Sequence, residues 1–256
     1  MKKIVSAVLV TMLAIPLVAS SVSAANHSGK LVKKVAISLS DNKSNVNSTV
    51  AELSVYDDNG IKLYTVTGAQ TPNEKRKAFE ILNSFMEKGA VEQQTVNVTS
   101  TGTDFYGSEY GYSSANNNAM GYTWAKYNAS ASFPTTGTDK TWGGQSAAWN
   151  GSGTAAYIKL YQSVTLNVSN ASTTLTVGWP PSMSVTPTKS SSTASWYSDS
   201  ITNVNILGAE HGTVQFNKQD IQGGYVTSCV YNDSADVKVG STIYRPTNSV
   251  RFTNGL

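Results

Sequence analysis

Ala51-Glu52-Leu53-Ser54-Val55-Tyr56-Asp57-Asp58-Asn59-Gly60-Ile61-Lys62-Leu63-Tyr64-Thr65-Val66-Thr67 is the stretch whose reading decides the fold. Two runs rich in β-branched and aromatic residues flank Asn59-Gly60. That pair suits a two-residue type I′ turn, in which both central residues need positive φ. A two-residue loop sets Asp57 opposite Lys62, Val55 opposite Tyr64 and Leu53 opposite Val66 on one face, and each pair matches chemically. The other face pairs Tyr56 with Leu63. Asp57-Asp58-Asn59-Gly60 lacks the spaced ligands of a calcium loop, so the turn is the better reading.

Upstream, Val35, Ile37 and Leu39 alternate with other residues over 31–39, the period of a strand with one buried face. Downstream, Thr71-Pro72-Asn73-Glu74 combines an N-cap threonine, proline at the first helical position and glutamate at the third. It predicts a helix over about residues 72–88, with Ala78, Phe79, Ile81, Leu82, Phe85 and Met86 on its apolar face. Gly89 is placed to end the helix as its C′ residue. Val91 to Val98 then reads as a strand.

The composition changes near residue 99, where Ser, Thr, Asn, Gly and Tyr take over. Residues 99–112 read as a long loop or boundary, 122–127 as a short strand, and Trp142-Gly143-Gly144-Gln145 and Trp149 to Gly153 as loops. A second hairpin is expected over 157–179. It sets Leu166 opposite Val177 and Val168 opposite Leu175 across a four-residue connection. Further short strands are expected near 183–187, 193–198, 202–207, 213–217, 225–232, 235–239 and 242–252. The fold class that follows is mainly β: an antiparallel β-sandwich with one amphipathic helix in its N-terminal part. It forms a single domain over 26–256, with a possible subdivision into 30–98 and 99–256.

Residues 1–25 read as a cleaved signal helix. Met1-Lys2-Lys3 is basic, Ile4 to Val18 is apolar, and Val22-Ser23-Ala24-Ala25 offers small-x-small cleavage sites. The leader removes Lys2 and Lys3 and leaves a nearly neutral chain, without the electrostatic footprint of a nucleic-acid partner. No later run is apolar enough to predict a transmembrane segment in the mature chain. The expectation is a secreted, extracellular protein of bacterial type. Cys229, the only cysteine, lies in a strand-like run and is expected to be a buried structural thiol rather than a nucleophile.

Catalytic signals are sparse. The two histidines are His27 and His211, and Glu210-His211 sits in what reads as a turn. No Gly-x-Ser-x-Gly elbow is present, and the loop carboxylates have no distinctive setting. No catalytic residue, metal ligand or cofactor is therefore expected. The suggestive feature is aromatic. Tyr106, Tyr110, Tyr112, Trp124, Trp142 and Trp149, interleaved with Gly, Ser and Asn, form a candidate ligand-binding set of the composition seen in adaptable recognition surfaces. The alternative is that these rings pack the core. The expected function is a non-enzymatic binding module, its partner a cell-wall glycan or a surface protein. The alternatives are a membrane-active protein, motivated by the 157–179 hairpin, and a secreted hydrolase.

Overall fold

The computed structural model describes residues 29–39, 50–94, 103–113, 117–129, 138–169, 177–178, 184–187, 191–217 and 226–253. The expected leader lies outside them, as does His27. The strands in chain order begin with β1 (Lys30–Ser38), β2 (Val50–Asp58) and β3 (Ile61–Thr67), followed by helix α1 (Pro72–Gln94). Next come β4 (Thr103–Ser113), β5 (Ala119–Ala129), β6 (Thr138–Trp149), β7 (Tyr157–Val168), β8 (Val177–Gly178), β9 (Ser184–Pro187) and β10 (Ser191–Tyr197). The chain continues with β11 (Ile201–Thr202), β12 (Ile206–Asn217), β13 (Val226–Val239), β14 (Thr242–Tyr244) and β15 (Thr247–Thr253).

Among the described residues these strands form two antiparallel sheets, so the protein is a mainly β sandwich with one helix. The first sheet runs β1-β2-β3-β12-β6-β5-β4, with β8 also on β12. The second runs β14-β13-β7-β10-β9, with β15 on β13 and β11 on β7. The 30–98 and 99–256 stretches share the first sheet, because β3 pairs with β12 from Leu207↔Thr65 to His211↔Ile61.

Local chemistry sets the N-terminal part. The hairpin forms in the expected register, with Asp57↔Lys62, Val55↔Tyr64, Leu53↔Val66 and Tyr56↔Leu63. Asn59 and Gly60 take φ of 52° and 88°, as the primed turn requires. Helix α1 starts on a complete capping box. The Glu74 amide donates to Thr71 Oγ1 (3.3 Å), and the Thr71 amide donates to Glu74 Oε2 (3.0 Å). The helix differs from expectation at its other end. It continues through Gly89 to Gln94, so 91–94 are helical rather than strand. Gly89 keeps a helical φ and meets no neighbour, and a mid-helix glycine costs only about 1 kcal/mol.

Two apolar layers result. Helix α1 lays Ala78, Phe79, Leu82 and Met86 against the outward face of the first sheet, where they meet Leu53, Tyr64, Trp124 and Ile206. Burying each large side chain there contributes about 1.5–3 kcal/mol. The other layer lies between the sheets and contains Leu63, Leu160, Leu166, Tyr231, Val237 and Phe252. Lys75 ties the start of the helix to the segment after β6, its buried Nζ donating to Gly151 O (2.9 Å) and Gly153 O (2.5 Å).

Four other expectations are corrected. The 157–179 hairpin does not form: Leu166 pairs with Ser192 and Cys229, while Val177 pairs with Phe216 in the other sheet. Residues 103–113 are strand β4, and Trp142 to Gln145 are the middle of β6. The glycines there answer to packing rather than to turns. A Cβ on Gly144 would lie 2.7 Å from Ala209 O and 2.8 Å from Trp124 Nε1. Gly208, Glu210 and His211 also belong to a strand, β12, and a Cβ on Gly208 would lie 2.9 Å from Met86 Sδ under the helix.

Candidate binding surface

The six aromatic candidates divide by position. Tyr106, Tyr110 and Tyr112 alternate along β4, an edge strand, and pair with Lys126, Tyr122 and Met120 of β5. Alternation places all three on the helix-bearing face. They are 51%, 42% and 52% exposed. From Tyr106 to Tyr112 the row covers seven residues, about 20 Å at the rise of an extended strand. Tyr110 is propped from below, with the Phe79 ring edge-on at 6.4 Å and the Tyr122 ring at 4.4 Å. The Tyr122 hydroxyl in turn donates to Glu87 of the helix. The row therefore rests on a braced platform.

Trp124, Trp142 and Trp149 are core residues, 1%, 8% and 7% exposed. Trp124 and Trp142 lie on the same face as the tyrosines, but on strands nearer the middle of the sheet, within the layer that α1 covers. Trp149 lies between the sheets, stacked on Tyr244 at 5.4 Å, and its Nε1 donates to Ser152 O (3.0 Å). None of the three indoles can offer a face to a ligand in this conformation. The edge position of β4 is what leaves its tyrosines accessible.

Glu210 and His211 point to opposite faces of β12. Glu210 accepts a hydrogen bond from Tyr64 beneath the helix. Burial pushes its carboxyl up to about 7, against the opposing effects of that bond and of Lys62. His211 stacks on Tyr231 between the sheets (5.7 Å), with Nδ1 2.6 Å from Gly212 O. Burial drives its imidazole down to about 4, so the ring is neutral. The two do not form an acid–base pair.

A second polar group spans the sandwich. Asp233 of β13 accepts from Thr123 Oγ1 (2.7 Å) and Gln162 Nε2 (3.2 Å), and Asn248 donates to Thr123. Burial lifts the Asp233 carboxyl to about 7. Nearby, Thr141 Oγ1 and the Tyr231 hydroxyl lie 2.8 Å apart, and Tyr127 donates to Asp139 Oδ2 (2.5 Å). The Thr123–Asp233 and Thr141–Tyr231 contacts join the two sheets, while Tyr127–Asp139 links neighbouring strands β5 and β6 within the first. Cys229 is buried, its thiol pushed up to about 12 by burial, which suits a structural residue. Among the described residues no cluster of three or more His, Cys, Asp or Glu could hold a metal ion, and no helix is long and apolar enough to cross a membrane. No known protein family matches the chain, and no curated protein or solved structure does so either.

Proposed function

We propose that this chain is an exported, non-enzymatic binding module that contacts a cell-wall glycan through the tyrosine row of β4. The observation that carries the reading is the half-exposure of Tyr106, Tyr110 and Tyr112 on one face of an edge strand, braced by Phe79 and Tyr122. Rigid aromatic faces with a polar tip bind sugars at low entropic cost, since each ring has only two rotatable side-chain bonds. The Met1–Ala25 leader supplies the export half of the proposal. The membrane-active alternative loses its motivation, because the hairpin that suggested it is not formed.

The test is sedimentation with purified peptidoglycan. Wild-type protein is expected to co-sediment, and the triple variant Tyr106→Ala, Tyr110→Ala, Tyr112→Ala to stay in solution with little change in Tm. Equal sedimentation of the two proteins, or none by wild type, refutes the proposal. N-terminal sequencing of protein recovered from a bacterial culture medium tests export, with Asn26 expected as the first residue.

A further inference from the structure

The outward face of the second sheet carries a groove of about 650 Å³ that crosses four strands. Its construction follows from the register. Trp196, Gln162, Asp233 and Asn248 are aligned neighbours across β10, β7, β13 and β15, and all four side chains turn into the sandwich. Their main chain forms the floor. One residue along each strand, side chains turn outward. Tyr197, Tyr161, Ser234 and Thr247 align as one wall. Ser195, Ser163, Asn232 and Ser249 align as the other. Three strand spacings make the groove about 14 Å long, and the walls stand about 7 Å apart.

Its chemistry is uniform. Each wall side chain is a hydroxyl or an amide, and none is ionisable near neutral pH. Asp233, the one acid in the lining, is 4% exposed and engaged with Thr123 and Gln162 inside the sandwich. Charged residues border the walls: Glu109 Oε2 accepts from the Ser249 amide beside β15 (3.3 Å), and Lys159 pairs with Asp236 in the next row beyond the Tyr161 wall. At that end Lys159 Nζ lies 5.2 Å from the Tyr161 ring centroid and 4.6 Å from that of Tyr197, bracing both rings from outside the groove. Tyr197 is 66% exposed, a large aromatic face held open at one end of a hydroxyl-lined channel.

We infer that this groove binds an uncharged polysaccharide segment lying across the strands, with Tyr197 stacking on a sugar ring and the Ser, Thr and Asn walls hydrogen-bonding its hydroxyls. A charged ligand would lose hydration without gaining a counter-charge from either wall, and an apolar ligand would displace water from the wall hydroxyls and amides without replacing its hydrogen bonds. A neutral polyol satisfies both walls. The groove and the tyrosine row lie on opposite outer faces of the sandwich, so each can be removed without the other.

The experiment is titration calorimetry of the full chain with laminarin, xylan and galactomannan, and with polygalacturonate as the acidic comparison. Binding of at least one neutral polysaccharide is expected. Tyr197→Ala should weaken it about tenfold, the loss of one stacked ring. Ser234→Lys, which fills the channel and adds a charge, should weaken it at least as much. The β4 triple tyrosine variant should leave this binding unchanged while failing the peptidoglycan test, which separates the two sites. Binding to none of the neutral polysaccharides, binding to polygalacturonate alone, or wild-type affinity in both Tyr197→Ala and Ser234→Lys would overturn the inference.

Discussion

The two sheets use alternation in different ways. In β3 of the first sheet, neighbours Leu63 and Tyr64 point to opposite faces and both are buried, because α1 covers one face and the second sheet the other. In β7 of the second sheet, buried Ile158, Leu160, Val164 and Leu166 alternate with half-buried Lys159, Tyr161, Ser163 and Thr165. A strand covered on both sides carries apolar residues at consecutive positions, whereas one covered on a single side carries them at every second position. The second pattern leaves a polar face available for binding, and the first leaves only its edge. The tyrosine row and the groove occupy those two kinds of place.

The largest expected effect tests this contrast directly. Trp124→Ala removes a fully buried indole beneath the helix and should cost about 3–5 kcal/mol of unfolding free energy. Tyr197→Ala, on the open face, should stay within about 0.5 kcal/mol of wild type. Urea denaturation measures both. A costly Tyr197→Ala would show that the open face is a packed one.

The next effect depends on pH and draws on both layers. Glu210 under the helix and Asp233 between the sheets are held near 7, above their ordinary 4.5 and 3.8. Their protonated forms are favoured by folding, so that stability is fully present below about pH 4 and is lost as pH rises through 7. His211, held near 4 against an ordinary 6.5, acts oppositely and loses stability as pH falls from 6.5 towards 4. Two carboxyls outweigh one imidazole, so unfolding free energy should fall by roughly 1–3 kcal/mol from pH 5 to pH 8. Asp233→Asn and Glu210→Gln should each flatten the profile. A stability that rises over that interval would show that these carboxyls are ionised in the folded protein.

The same contrast explains what could be read from residues alone. The Asn59-Gly60 turn and the Thr71–Glu74 cap are decided within four residues, and both formed in the expected geometry. The strands of 103–149 are decided by distant neighbours. Gly143 is glycine because a Cβ would meet Trp124 O at 2.7 Å and Tyr231 Cε1 at 2.8 Å, one from the adjacent strand and one from the opposite sheet. Nothing near it in the chain distinguishes that reason from a turn. The partners of β7 were hidden similarly, since its alternation suits any neighbour. Among the six aromatic candidates, tyrosine and tryptophan share one alternation from Tyr106 to Trp142. Strand order and helix cover sort the exposed from the buried, and both are properties of topology.

Two glycines give the smallest and most discriminating test. Gly144 lies where a Cβ would meet the main-chain oxygen of Ala209, which cannot swing aside as a side chain can. Gly144→Ala should therefore destabilise by about 1–3 kcal/mol, the usual cost of overpacking. Gly89 lies in open space inside a helix that continues to Gln94. Gly89→Ala should stabilise by about 0.5–1 kcal/mol, through better helix propensity and a less flexible unfolded chain. If Gly89 instead ended the helix in a left-handed conformation, alanine there would be strained and the sign would reverse. Thermal unfolding of the two variants side by side reads both signs, and a destabilised Gly89→Ala would return the helix end to the position that its capping glycine first suggested.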